Sequence, residues 1–383
     1  MLRRSSVLLL AWLVTGCSHP VTVKIISSLP MHGPLAAQSR TMVAAIQMAL
    51  DEAGGRAGRC SVRYEAWDDG DGAGDWHEEE ANARRAAADP AVMVVVGPYN
   101  SGAAKLSIPI LNQAGLVMVS PACTYPGLTQ AGPEVEQDEP GRYYPSGIRT
   151  FCRLVPTDRV QGEGGAAWAK SMHAHRVYVL HSPDRFGITL AGIFSRACRA
   201  RGLTVLADDP LSDASVDRIR DAHADLIYFG GTTANGIAPL VVSLRHAGVQ
   251  ATFMGPGGIR DNAFLEEAGP AAEGVCSTLG ALPLEELPAS AKEWYDRYVS
   301  RYGSPPDAYT IYAYEAAGMA LRGIAAAGRV DRAAIRQAIM ATHDYHGVLG
   351  TWSLDADGDT SLHALSAYRV ERHEFRFLKL LSP

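Results

Sequence analysis

The stretch VMVVV, residues 92–96, followed by GPYNSGAAKL to residue 106, constrains the fold more than any other. Five consecutive apolar residues offer water no polar face, so the segment reads as a strand buried on both sides, in a sheet covered by helices above and below. Gly97 and Pro98 end the strand, and helical spacing follows across Ala103 to Ala114. The same alternation runs along the chain. VTVKIISSL is a strand broken at Gly33, QSRTMVAAIQMALDEAGG is a helix stopped at Gly54 and Gly55, and CSVRYEAWD is a strand. A helix from about Trp76 to Ala88 precedes the opening stretch, and strand LVMVSP follows its helix.

After Pro126 the pattern stops. GLTQAGPEVEQDEPGRYYPSG has no periodicity and is expected to be a long surface loop. Near residue 150 the alternation restarts with strands RVYVLH, LTVLA, DLIYFGG and ATFMGPGG between helical segments. Past Cys276 come three more helices, then short strands around YHGVLGTWSLDADGD and LSAYRVERHEFRFLKLL. The expected class is α/β, two Rossmann-like units with parallel sheets.

The first residues carry a different message. Arg3 and Arg4, a short apolar core from Val7 to Val14, and VTGC ending at Cys17 have the order of a lipoprotein signal. The core is too short to span a bilayer permanently. Residues 1–16 are expected to be removed, with Cys17 lipidated and 17–20 a tether to the membrane. The whole chain holds 35 basic against 41 acidic residues, and loss of Arg3 and Arg4 takes its net charge from −6 to −8. With no basic cluster to follow a phosphate backbone, nucleic acid is not an expected partner.

Five further cysteines, Cys60, Cys123, Cys152, Cys198 and Cys276, form no C-x-x-C pair. An exported chain meets oxidising conditions, which makes disulfides the default. Cys123 and Cys152 bracket the aperiodic loop, and a bridge there would stabilise by roughly 3–4 kcal/mol in the chain-entropy account.

In parallel sheets ligands meet the carboxyl ends of the strands, so the turns after each strand are the ones to read. Three of them set hydroxyls beside a helix start: Ser101, Thr124 with Tyr125, and Thr232 with Thr233. Unpaired amides and the helix dipole favour an anion at such places. Ser and Thr are also common N-caps, so any one turn reads as a cap; three at one edge of two sheets point to a site.

The order of elements, with GPYNSGA, SPACTYPGLT, HSPDRFG, IYFGGTTANG and TFMGPGG, resembles the periplasmic binding proteins for branched-chain amino acids, the type I solute receptors of ABC importers. The resemblance implies a ligand held between two lobes joined by three crossings, with lobe one at about 21–149 and 278–364 and lobe two at about 150–277 and 365–383. It implies a ligand α-carboxylate on Ser101 and on Thr124 with its backbone, the carbonyl of Ala122 among the matching positions, and Tyr99 and Phe186 as walls. It further implies a monomer that closes on a small molecule and is read by a permease and ATPase, or a lipoprotein of the same fold that senses its ligand for a regulator.

Three positions depart from the family. Phe186 stands where a Tyr is usual, keeping an aromatic wall while losing the hydroxyl. A customary Tyr is Thr232 here, and the acid that meets the ligand ammonium falls at about Gly257, which has no side chain. Either Asp261 or another acid reaches in, or the ligand lacks an α-amino group; the second is the expectation. An amide or an aromatic acid is then as acceptable as leucine.

Other patterns carry no site. In DADGDT, Asp355, Asp357 and Asp359 match calcium-loop positions, but Thr360 and Ser366 replace the needed Gly and Glu, so a hairpin turn is expected. DDGDGAGD is set aside in the same way, and His173 and His175 read as a solvated helix end without a third ligand. Glu78, Glu79 and Glu80 read as a solvated helix face. No metal or cofactor is expected. Ser101 lacks the G-x-S-x-G elbow and no Cys–His arrangement is supported, so an enzyme is not expected.

Overall fold

The computed structural model describes residues 21–33, 35–71, 76–283 and 286–381. The signal, Cys17 and the tether lie outside these residues, as does the end of DDGDGAGD.

The first unit runs β1 (Thr22–Leu29), α1 (Ala36–Glu52), β2 (Arg56–Ala57), β3 (Cys60–Asp68), α2 (His77–Ala88), β4 (Val92–Val96), α3 (Ser101–Gln113), β5 (Val117–Ser120) and β6 (Phe151–Arg153). The second runs α4 (Asp158–Ser171), β7 (Arg176–His181), α5 (Arg185–Ala200), β8 (Thr204–Pro210), α6 (Val216–Asp221), β9 (Leu226–Gly230), α7 (Ile237–His246), β10 (Thr252–Gly255), α8 (Asn262–Ala268) and β11 (Cys276–Leu279). Then follow α9 (Ala289–Tyr302), α10 (Thr310–Ala327), α11 (Arg332–Met340), the hairpin β12 (Tyr345–Gly347) and β13 (Gly350–Trp352), and β14 (Leu365–Glu371) with β15 (Glu374–Leu381).

Two sheets organise these elements, in the orders β2-β3-β1-β4-β5-β6 and β15-β14-β11-β10-β9-β7-β8. The first is parallel except at β2, and the second is parallel from β8 to β11 with β14 and β15 antiparallel at its edge. β4 is buried along its whole length, as its composition requires. One face of the first sheet packs on α1 and α10 through Val94, Val96, Met42 and Ile311, and the other on α2 and α3 through Val95, Ala83 and Ile108. The second sheet is likewise sandwiched, with α7 and α8 against Phe229 and Phe253, and α4 and α5 against Val179 and Tyr228. The chain leaves the first sheet after Arg153, leaves the second after Leu279 and returns to it at Leu365.

Three sequence expectations are corrected. Cys123 and Cys152 are both buried free thiols on opposite faces of the first sheet: Cys123 packs on the α2/α3 side and Cys152 on the α1/α10 side. Their sulfurs turn to the carbonyls of Pro98 and Met118 instead, at 3.4 and 3.7 Å. The segment after Pro126 is no surface loop, because Leu128, Tyr143 and Tyr144 sit in the core of that same α2/α3 side. Its anchor is the buried Glu139, which takes hydrogen bonds from Tyr125 and Tyr143, both at 2.5 Å, and from Lys105 at 2.8 Å. Burial alone would raise the Glu139 carboxyl, but Lys105 and the two phenols hold it down to about 2. Last, Glu79 is 1 % exposed and bonds the Ser28 hydroxyl rather than facing solvent.

Candidate functional site

β1, β4 and β5 end in register, with Ser27 beside Val96 and Val96 beside Val119. Their following turns therefore lie side by side. Gly97 (φ +126°) brings the backbone against β1 so closely that a Cβ would sit 2.4 Å from the Ser28 carbonyl oxygen, so only glycine fits. Tyr99, Asn100 and Ser101 then lead into α3. Ser101 is the first helical residue and not the cap, and its hydroxyl accepts from the Tyr125 amide at 3.2 Å. The two hydroxyl turns predicted to cooperate in the first lobe thus meet. Ala122 is nearly buried, Thr124 half-buried, and the Thr124 carbonyl accepts from the Asp158 amide, the first residue of α4, at 3.0 Å.

Arg153 builds this turn. Its fully buried guanidinium donates to the carbonyls of Cys123 (3.1 Å) and Tyr125 (2.8 Å), on either side of Thr124, and to the Thr129 hydroxyl. It also pairs with Asp359 at 2.6 Å. Asp359 further accepts from Thr129 and Gln130, at 3.0 and 2.7 Å. The DADGDT turn is thus an internal fastening: the Asp355 carboxylate is consumed by the amides of Asp357 and Asp359. Among the described residues no three His, Cys, Asp or Glu side chains gather to hold a metal ion.

Tyr99 is fixed from both sides. Its hydroxyl donates to Gln38 at 2.8 Å, Gln38 donates to Asp307 at 3.0 Å, and its ring meets Tyr309 edge-on at 5.5 Å. This chain ties the starts of α1 and α10 to the Tyr99 turn.

In the second lobe, the turns after β7 and β9 also converge, the Ser182 amide donating to the Gly230 carbonyl at 2.9 Å. Phe186 lies half-buried in the first turn of α5, against the lobe's core. Thr232 is occupied locally, its hydroxyl donating to the Asn235 side-chain oxygen at 2.9 Å. At Gly257 a Cβ would press on Leu279 at 2.8 Å, so that side is closed by an aliphatic chain. Asp261 is no substitute acid. It caps α8, accepting from the Phe264 amide at 2.8 Å and the Thr233 hydroxyl at 3.1 Å.

The lobes touch through the segment after Pro126. Arg159 of α4 donates to Gln130 and to the Ala131 carbonyl, each at 2.8 Å, and Arg185 of α5 donates to Glu136 at 2.8 Å. These contacts draw the start of α5, with Phe186, toward the lobe that carries Ser101 and Thr124. A cavity of about 560 Å³ opens along the crossings, with Pro156, Leu279, Ala364, Thr41, Asp307 and Arg260 in its wall. Ser101, Thr124 and Phe186 are not among its lining residues.

Sequence reasoning missed Arg153, Gln38, Tyr309 and Asp158. Asp158 had a signal, a carboxylate just before an apolar helical run, but that pattern reads first as a helix-start acid.

The model of a family described as periplasmic binding protein matches residues 22–374. The leucine-, isoleucine-, valine-, threonine-, and alanine-binding protein of Pseudomonas aeruginosa is 25% identical over 364 residues, covering 93% of this chain and 91% of that one. The Leu/Ile/Val-binding protein BraC3 of Rhizobium johnstonii is 27% identical over 361 residues, with 92% of each covered. A leucine binding protein LivK from Thermotoga maritima superimposes with a TM-score of 0.79 at 25% identity, covering 94% of this chain and 99% of that one. A solute binding protein from R. palustris, solved with benzoate, shares the fold at a TM-score of 0.74 and 17% identity, covering 94% and 96%.

Proposed function

The chain belongs to the periplasmic binding protein family, and from that membership we propose that it captures a small carboxylate-bearing solute between its lobes and presents the closed form to the permease and ATPase of an ABC importer. It is a solute-binding protein and not an enzyme. The observation that carries the ligand class is the meeting of Ser101 with the Thr124–Tyr125 turn at the start of α3. A hydroxyl and unpaired helix amides there receive an anion without any cationic side chain. The names of the relatives, which bind leucine, isoleucine and valine, support an amino-acid ligand. The VTGC sequence supports export and lipidation at Cys17, and among the described residues no helix is long and apolar enough to cross a membrane. A ligand favours the closed form because only there do both walls touch it.

Ser101→Ala is expected to weaken binding by about 1.5–3 kcal/mol, the usual worth of a hydrogen bond to a charged group. Tenfold or more in Kd is read by titration calorimetry, with the solute that gives the largest thermal shift in a screen of amino acids, amides and aromatic acids. An unchanged Kd removes Ser101 from the site.

A further inference from the structure

The segment after Pro126 is held at both ends by the first lobe and touched in between by the second. Leu128 and Thr129 are buried at one end, and at the other Glu139 is buried and bonded to Tyr125, Tyr143 and Lys105. Residues 130–136 are therefore carried by the first lobe. Arg159 of α4 donates to Gln130 and to the Ala131 carbonyl at 2.8 Å each, and the Thr189 hydroxyl of α5 donates to the Glu134 carbonyl at 3.5 Å. Two further arginines of α5 add charge to these contacts: Arg196 pairs with the Glu134 carboxylate, and Arg185 donates to Glu136 at 2.8 Å. Gln130 and Glu136 act as joints. The Gln130 amide nitrogen donates to Asp359 at 2.7 Å while its oxygen accepts from Arg159, and Glu136 accepts from Arg142 at 2.7 Å as well as from Arg185.

Glu134 decides how strong this tie is. Its side chain is only 7 % exposed, and its second carboxylate oxygen has no hydrogen-bond partner among the described residues. A carboxylate pressed out of water onto α5 is costly unless a cation meets it, and Arg196, 47 % exposed, is that cation. Parting of the lobes returns Glu134 to water and removes the cost. With Arg196 in place the contact favours lobes held together; without it the same contact favours lobes apart. The Arg185–Glu136 pair, half exposed on both sides, contributes little by itself.

Resting on the cleft reading above for its solute, we propose that residues 130–136 form an ionic clasp that holds the two lobes together before a solute arrives, and that the Arg196–Glu134 pair sets how tightly every solute is held without touching one. The clasp is a fourth tie between the lobes, beside the three chain crossings. A solute that needs the closed form has its affinity scaled by the fraction of protein already closed, so loosening the clasp weakens all solutes by one common factor. A residue that contacts the solute changes each affinity by a different factor instead.

The test joins small-angle X-ray scattering of the solute-free protein with calorimetry on amino acids, amides and aromatic acids, for the wild type, Arg196→Gln and the double variant Arg196→Gln with Glu134→Gln. Arg196→Gln is expected to enlarge the radius of gyration and to weaken every solute that binds by about tenfold or more, the same factor for each to within about twofold. The double variant, which removes the stranded charge as well, is expected to return the radius toward that of the wild type and to recover most of the affinity. Should Arg196→Gln fail to fold, Arg185→Gln combined with Arg159→Gln cuts the clasp at its other contacts and is read in the same way. An unchanged radius, factors that differ from solute to solute, or a double variant as open as Arg196→Gln overturns the clasp. A radius that responds as expected in a protein that binds none of these solutes leaves the clasp standing and overturns the cleft reading instead.

Discussion

Replacing Arg153 with leucine is expected to lower stability by about 3–5 kcal/mol, because it leaves the Asp359 carboxylate in the interior without its cation. The guanidinium is fully buried and Asp359 is 6 % exposed, so water cannot take its place cheaply. The carbonyls of Cys123 and Tyr125 lose their donor at the same stroke. Urea unfolding should show the midpoint falling with little change in slope. The second arm is the double variant Arg153→Leu with Asp359→Leu. If the uncompensated charge is the main cost, the double variant is less destabilised than the sum of the two single ones. Additive losses would mean that Arg153 acts through the turn carbonyls and not through the ion pair. Either way the Thr124 turn loosens, so ligand affinity should fall in Arg153→Leu even where the chain remains folded.

A second large effect concerns Asp69, at the end of β3. It is fully buried, and neither oxygen has a hydrogen-bond partner among the described residues. Burial pushes its carboxyl up to about 8, helped by the charges of Glu79, Asp68 and Glu78 and opposed by His32. Glu79, fully buried beneath it, is raised to about 7 by the same cause, with Ser107 and Ser28 opposing. Between an unfolded value near 4 and these folded values, the folded chain holds protons that the unfolded chain has released. Stability therefore falls as pH rises through that window, the reverse of the usual carboxylate. From pH 5.5 to pH 8 the loss attributable to Asp69 is expected to be about 3 kcal/mol, at 1.36 kcal/mol for each unit. Asp69→Asn should flatten the profile and be the more stable chain at pH 8. A wild-type profile that rises over this range relative to the variant would show that Asp69 is ionised in the fold and finds a partner there.

Much of the architecture was legible because buried parallel strands announce themselves. VMVVV admits one placement, and the rule that ligands gather at strand ends led to Ser101 and Thr124, whose turns do meet. What escaped were properties of burial that no local pattern encodes. Arg153 and Asp158 are charged residues that would ordinarily be assigned to the surface, and only the crossing of the chain between sheets encloses them. The segment after Pro126 lacks periodicity, yet Glu139 with Tyr125 and Tyr143 gives it an interior of its own. Glu79 was readable after all: with Ala83 and Ala86 it falls on the inward stripe of α2, at helical spacing. The cysteine pairing failed on register, since the residue three positions beyond a strand and one within the next strand need not share a face.

The most direct measurement of the central claim is a crystal structure with the solute bound. The account places its carboxylate within about 2.7–3.2 Å of the Ser101 hydroxyl and of amides in the first turn of α3, with no Arg or Lys in contact. A solute seated instead in the cavity along the crossings, its carboxylate on Arg260 and the Ser101 turn empty, would contradict it.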